Sequence, residues 1–81
     1  MNIEKEVINL LYKIKNTNIS QKNYNDSLSE KYNFDSLEFI MIISEIENHF
    51  KISLNDDDLQ IDKLDSINSI ITLINNYIEF E

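Results

Sequence analysis

Not one glycine or proline occurs among the 81 residues. Chain punctuation therefore falls to clusters of Asn, Asp and Ser, whose short polar side chains compete with helical hydrogen bonding. The same absence removes two phosphate-binding devices, the dinucleotide fingerprint and the P-loop, because both need glycine where backbone must approach a ligand. Segments of helical period lie between the polar clusters. Val, Thr and Tyr never alternate with polar residues long enough to suggest a sheet, and the 15 Ile are tolerated in packed helices.

The first helix is expected over about Asn2 to Lys15. Ile3, Val7, Leu10, Leu11 and Ile14 recur at helical spacing. Glu4 and Glu6 sit in its first turn, Lys13 and Lys15 in its last, as the macrodipole prefers. Asn16 or Asn18 is expected to close it in the left-handed conformation. Residues 16–34 read as a long loop pinned by Ile19, Tyr24, Leu28 and Tyr32, and loops of that length are often functional.

The second principal helix is expected from just after Asp35 to near Phe50. Asp35 is a good N-cap, Glu38 completes a capping-box pattern, and Phe34 and Phe39 occupy the staple positions. A short helical turn is expected at Asp57–Gln60. The last helix is expected from Ser66 to about Tyr77, capped by Asp65, with Ile67, Ile70, Ile71, Ile74 and Ile78 facing inward behind Leu64. Tyr77, Phe80 and the terminal Glu residues should close the bundle and fray. The expected fold is all-α: a small bundle of three main helices, one short helix and a long first loop.

Charge narrows the function. Fifteen acids face seven basic residues, all Lys, for a net charge of −8. Phosphate affinity needs a cationic surface, so nucleic acid and anionic membranes are not expected partners. Residues 1–33 carry a net +1 and residues 34–81 a net −9, which places the acidity in the second half. Without Cys there is no disulfide framework, Cys-ligated zinc or Cys nucleophile. A single His argues against a multi-His metal site or an intact Ser-His-Asp centre. No apolar run approaches the roughly 20 residues of a membrane span. The first residues do not read as a secretory signal, so a cytoplasmic protein is expected.

At about 100° per residue, Phe39, Ile42, Ile43, Ile46 and Phe50 gather on the core face of the second helix. Leu37, Met41, Ser44 and Asn48 gather opposite, flanked by Glu38 and Glu45 on one edge and Glu47 on the other. Such a face is either a scatter of ordinary exposed apolar residues or a partner surface. Ser36 is the first helical residue after the cap, with the unpaired N–H groups of the first turn beside it. A phosphate on its hydroxyl would gain roughly 0.3–1 kcal/mol from the helix dipole. Taken alone, a serine at a helix start is more simply a cap.

Phe34-Asp35-Ser36-Leu37-Glu38, followed by the apolar helix to Phe50, resembles the Asp-Ser-Leu signature of acyl carrier and peptidyl carrier proteins. Glu45 to Phe50 is similar to the acidic end of that helix. Lys51 to Leu54 and Asp56-Asp57-Asp58 are similar to the link into a short third helix, and Leu64 to Ile78 to the closing stretch. The resemblance covers essentially residues 1–81 as one carrier domain. It implies a four-helix bundle and a 4′-phosphopantetheine arm on Ser36, with Asp35 and Leu37 completing the attachment motif. It further implies a non-catalytic carrier of acyl or aminoacyl thioesters, expected to be a monomer. The partners it implies are a phosphopantetheinyl transferase using coenzyme A, an acyl- or aminoacyl-loading ligase, and downstream transferases or synthases. Leu37, Glu38, Met41, Ser44, Glu45, Glu47 and Asn48 would form the docking face.

The chain departs from the family pattern at two points. Family members often have Gly shortly before Asp-Ser-Leu, where Asn33 and Phe34 stand here. Fatty-acid carriers often have an acid where Met41 stands, so the face leans toward aminoacyl or specialised-metabolite cargo. The chief rival from another class is an acidic helical adaptor that carries nothing. A hydrolase using Ser36 would need a nearby base, yet His49 lies thirteen residues away. Asp56–Asp58 reads first as a solvated helix start, since an EF-hand loop needs a Gly and a closing Glu, which leaves weak surface binding of a divalent cation as the alternative. No metal is expected.

Overall fold

The computed structural model of the chain describes residues 2–78. Its first helix, α1 (Ile3–Ile14), begins where the Asn2 side chain accepts the Lys5 N–H at 3.1 Å. Val7, Leu10 and Leu11 are its buried stripe. The exit corrects the sequence reading. Lys15 leaves the helix extended, and the left-handed asparagine expected at Asn16 or Asn18 does not occur. An extended exit carries Ile19 directly into the core.

Residues 16–34 are not wholly loop. They contain a 3-10 turn at Gln21–Asn23 and a one-turn helix, α2 (Leu28–Lys31). Ser27 caps α2 by accepting the Glu30 N–H at 3.1 Å, a Ser-x-x-Glu start that the sequence did contain. Leu28 is buried, and Tyr24 and Tyr32 pack half-buried against the core.

The next helix, α3 (Ser36–Phe50), agrees with expectation at both ends. Lys51 stops it in the left-handed region (φ 58°), and the Ile52 N–H returns to the Glu47 carbonyl at 3.3 Å, the six-to-one closure of a Schellman cap. The short helical turn expected at Asp57–Gln60 is instead two 3-10 turns, Asp56–Asp58 and Ile61–Lys63. Three adjacent aspartates repel one another and are poor helix formers, and Gln60 between the turns is extended.

The final helix, α4 (Ile67–Ile78), starts one residue later than expected. Its cap is Ser66, whose Oγ accepts the Ser69 N–H at 3.1 Å, not Asp65. Asp65 is drawn away to α2, where its carboxylate accepts the Ser27 hydroxyl at 2.6 Å and the Ser29 N–H at 2.8 Å. Leu73 joins Ile67, Ile70 and Ile74 in the core, while Ile71 and Ile78 are half-buried. Phe80 and the terminal Glu residues lie outside the described residues. The fold is the expected all-α bundle, with α1 packed against both α3 and α4.

Candidate functional site

The turn before α3 decides how Ser36 is presented. Asn33 adopts a left-handed conformation (φ 58°), which reverses the chain after α2. Phe34 then enters the core, its ring centroid 6.1 Å from that of Phe39 in the staple read from sequence. Its N–H returns to the Leu28 carbonyl at 3.1 Å. Asp35 is extended and caps α3. Its Oδ1 accepts the Glu38 N–H at 2.8 Å, while its own N–H donates to Glu38 Oε1 at 3.0 Å.

Ser36 follows as the first residue of α3 and is exposed. The first four N–H groups of a helix lie outside its ladder. Asp35 satisfies that of Glu38, which leaves those of Ser36 and Leu37 beside the serine hydroxyl. The place combines a reachable hydroxyl, two N–H donors and the positive end of a helix 15 residues long. It suits a phosphodiester, and its exposed neighbours Asp35 and Leu37 leave the hydroxyl open. The residues present therefore fit a phosphate-linked arm on Ser36.

Along the outer face of α3, Leu37 is 65% exposed and Met41 42% exposed, with Ser44 and Asn48 also exposed. Ile40, 61% exposed, extends this apolar surface and was missed from sequence. At about 100° per residue it lies only ~60° from Leu37, so a wider arc would have included it. Glu38, Glu45 and Glu47 are half-buried, and each is held by a neighbour. Glu38 pairs with Lys15 at 3.2 Å and Glu45 with Lys13 at 3.4 Å. Glu47 Oε2 accepts the Leu54 N–H at 2.8 Å.

The remaining candidates sit apart. His49 pairs through Nε2 with the Glu6 carboxylate, and its ring meets Phe50 edge-on at 5.0 Å. It lies thirteen residues along α3 from Ser36, roughly 20 Å at ~1.5 Å per residue, and supplies no base there. Two surface depressions, one including Asp58, Lys63 and Ser69 and the other Glu6, Lys13 and His49, do not include Ser36.

Asp58 accepts the Tyr77 hydroxyl at 2.6 Å and the Lys63 ammonium at 3.1 Å. These two donors, Tyr77 foremost, hold its carboxyl below the usual aspartate range. Tyr77 also accepts the Asn55 N–H at 2.8 Å, so this network ties the 3-10 turns to α4. Among the described residues, no three His, Asp or Glu side chains gather as a metal site. No helix among them is long and apolar enough to cross a membrane.

Comparison with known proteins bears on the exposed serine. Residues 6–74 match the family described as "phosphopantetheine attachment site". The chain is 32% identical over 75 residues to the acyl carrier protein of Buchnera aphidicola subsp. Schizaphis graminum (strain Sg), a match covering 93% of this chain and 92% of that relative. No solved structure matches. The family match and the relative span nearly the same stretch and agree with the helical bundle, so the chain belongs to the phosphopantetheine attachment site family, the carrier proteins that bear covalent 4′-phosphopantetheine and work with partner enzymes.

Proposed function

We propose that Ser36 bears the 4′-phosphopantetheine arm. The chain then holds acyl or aminoacyl groups as thioesters while partner enzymes act on them, in biosynthesis of the fatty-acid, polyketide or nonribosomal-peptide type. The observation that carries this reading is the exposed Ser36 hydroxyl at the start of α3, beside two N–H groups outside the helical ladder. A phosphodiester there accepts from those groups and lies at the favourable end of the helix dipole. The arm, when bound, supplies the thiol that carries the cargo. The chain has no Cys to compete for it.

The chain itself presents and does not catalyse. The Asp35 and Glu38 carboxylates beside Ser36 are engaged in the capping box and His49 is distant, so the transferase must remove the hydroxyl proton as Oγ displaces the leaving group of coenzyme A at phosphorus. Leu37, Met41, Ser44 and Asn48 form the open part of the docking face, with Ile40 beside them and Glu38, Glu45 and Glu47 at its rim. A transferase, a loading ligase and downstream transferases or synthases would grip this face in turn. The absence of an acid at Met41 favours aminoacyl or specialised-metabolite cargo. We place the protein in the cytoplasm as a monomer.

Intact mass tests the proposal. After incubation with coenzyme A and a broad-specificity phosphopantetheinyl transferase, the wild type should gain one phosphopantetheine and Ser36→Ala none. Modification at Ser44 or Ser66 would overturn the assignment. No gain with several transferases would leave the acidic adaptor.

A further inference from the structure

We propose that Lys15 is a positioning residue for the Ser36 site, its ammonium clamping the left-handed turn that presents the serine. The functional part of this inference rests on the reading of Ser36 as the attachment residue. Lys15 stands at the end of α1, eighteen residues before Asn33. Its Nζ donates to the Asn33 carbonyl at 2.6 Å and to Glu38 Oε1 at 3.2 Å, and lies 5.3 Å from the centroid of the Phe34 ring. The ammonium thus touches residues on both sides of Asp35 and Ser36. Glu38 Oε1 is also the atom that accepts the Asp35 N–H, so the charge holds one half of the capping box in place.

The need for a clamp lies at Asn33. A residue with a Cβ is disfavoured at φ 58°, and asparagine only reduces that cost. The Phe34 N–H bond to the Leu28 carbonyl and the buried Phe34 ring already favour this turn, and Lys15 adds to them against the negative φ that would turn the chain into α3 from another direction and fray the first turn carrying Ser36. Three charge-assisted contacts oppose this: a strong hydrogen bond, an ion pair and a cation–π contact. Lys15 is two-thirds shielded in the process (side chain 32% exposed), unlike Lys13, whose side chain is 71% exposed in its pair with Glu45.

The consequence for modification has a specific form. When only a fraction of molecules present the site competently, apparent affinity falls by that fraction and the rate at saturation does not. Lys15→Met should therefore raise the transferase KM for this chain about fivefold or more, with kcat unchanged. Lys15→Arg, which keeps charge and reach, should restore most of it. Lys13→Met removes an equal charge from the last turn of α1, two residues away, and should stay within about twofold of wild type, as exposed ion pairs are weak. In an Asn33→Gly background the left-handed turn carries no Cβ cost, so Lys15→Met should raise KM by no more than about twofold.

Amide hydrogen exchange reads the clamp without any modification. In Lys15→Met, the Glu38 and Phe39 amides should exchange about tenfold faster, while Ile70 and Ile74 in α4 keep their protection, because opening is local. Exchange unchanged at Glu38 and Phe39 overturns the clamp. Equal acceleration throughout also overturns it, since Lys15 would then only add global stability. If the wild type is never modified at Ser36, the attachment reading fails, and these exchange rates still decide whether Lys15 holds the turn.

Discussion

Asp35 and Glu38 each supply what the other's backbone lacks. The Glu38 N–H reaches Asp35 Oδ1 at 2.8 Å and the Asp35 N–H reaches Glu38 Oε1 at 3.0 Å. This exchange defines where α3 begins and makes Ser36 its first residue. It also separates two adjacent polar side chains by role, since Asp35 secures the helix and Ser36 is left free of that task.

Substitution should expose the division. Asp35→Ala is expected to cost ~0.5–2 kcal/mol through loss of the cap. Ser36→Ala should cost less than about 0.5 kcal/mol, as surface changes do. Urea denaturation of the two variants checks the ranking. The reverse order would mean that the serine is the cap and that α3 starts one residue later.

Asp65 shows where local reading stops. Read from its neighbours it caps the last helix, yet its carboxylate serves Ser27 and Ser29, thirty-eight and thirty-six residues away. The acceptors that fix α2 thus belong to another part of the chain, and nothing in residues 27–31 announces them. The clamp by Lys15 was hidden for the same reason. By contrast α3 was legible because its cap, staple and apolar period all lie within Phe34–Phe50. The outer face of α3 was partly legible. Helical angles place Leu37 and Met41 outward, but the lysines that engage Glu38 and Glu45 come from α1.

From this follows a test of Asp65. Hydrogen bonds to a charged acceptor contribute about 1.5–3 kcal/mol, so Asp65→Ala should destabilise the fold by roughly 2–3 kcal/mol. Ser66→Ala should lose only a cap, ~0.5–2 kcal/mol. Thermal melts rank the two, and amide exchange in Asp65→Ala should accelerate first at Ser29 and Glu30. Protection there equal to wild type would show that α2 stands without its distant anchor.

Tyr77 and Asp58 set an acid-side dependence. The Tyr77 hydroxyl, then Lys63, lowers the Asp58 pKa, so the folded state favours the ionised carboxyl. That stabilisation is fully present above the unfolded-state aspartate pKa, about 3.9, and is lost as pH falls through the lower folded value. Tyr77→Phe removes the larger cause. Carbon-13 NMR titration should then find the Asp58 carboxyl moved up toward its ordinary range, with less of the stability lost on the acid side. An unmoved titration would assign the whole shift to Lys63.

The acidic second half should respond to ions. Eleven acids against two Lys in residues 34–81 repel one another at low ionic strength. Added salt or millimolar magnesium should raise the melting temperature, by screening or by weak surface association. Indifference to both would mean that pairs such as Asp58 with Lys63 already disperse the repulsion.

Phe39 and Met41 separate packing from docking, because two residues along a helix point to opposite sides. Phe39 is 2% exposed and packs with Phe34, so Phe39→Ala should open a cavity costing ~3–5 kcal/mol. That would consume most of a small domain's stability. Met41, 42% exposed, should tolerate alanine within about 0.5 kcal/mol. Met41→Glu should also fold, yet it sets a charge beside exposed Leu37, on the apolar surface that Ile40 extends and that a partner would bury. Loading or transfer by the native partner should therefore slow, with the melting temperature little changed. Wild-type rates for Met41→Glu in every partner reaction would remove the outer face of α3 as the docking surface and leave the Ser36 assignment standing.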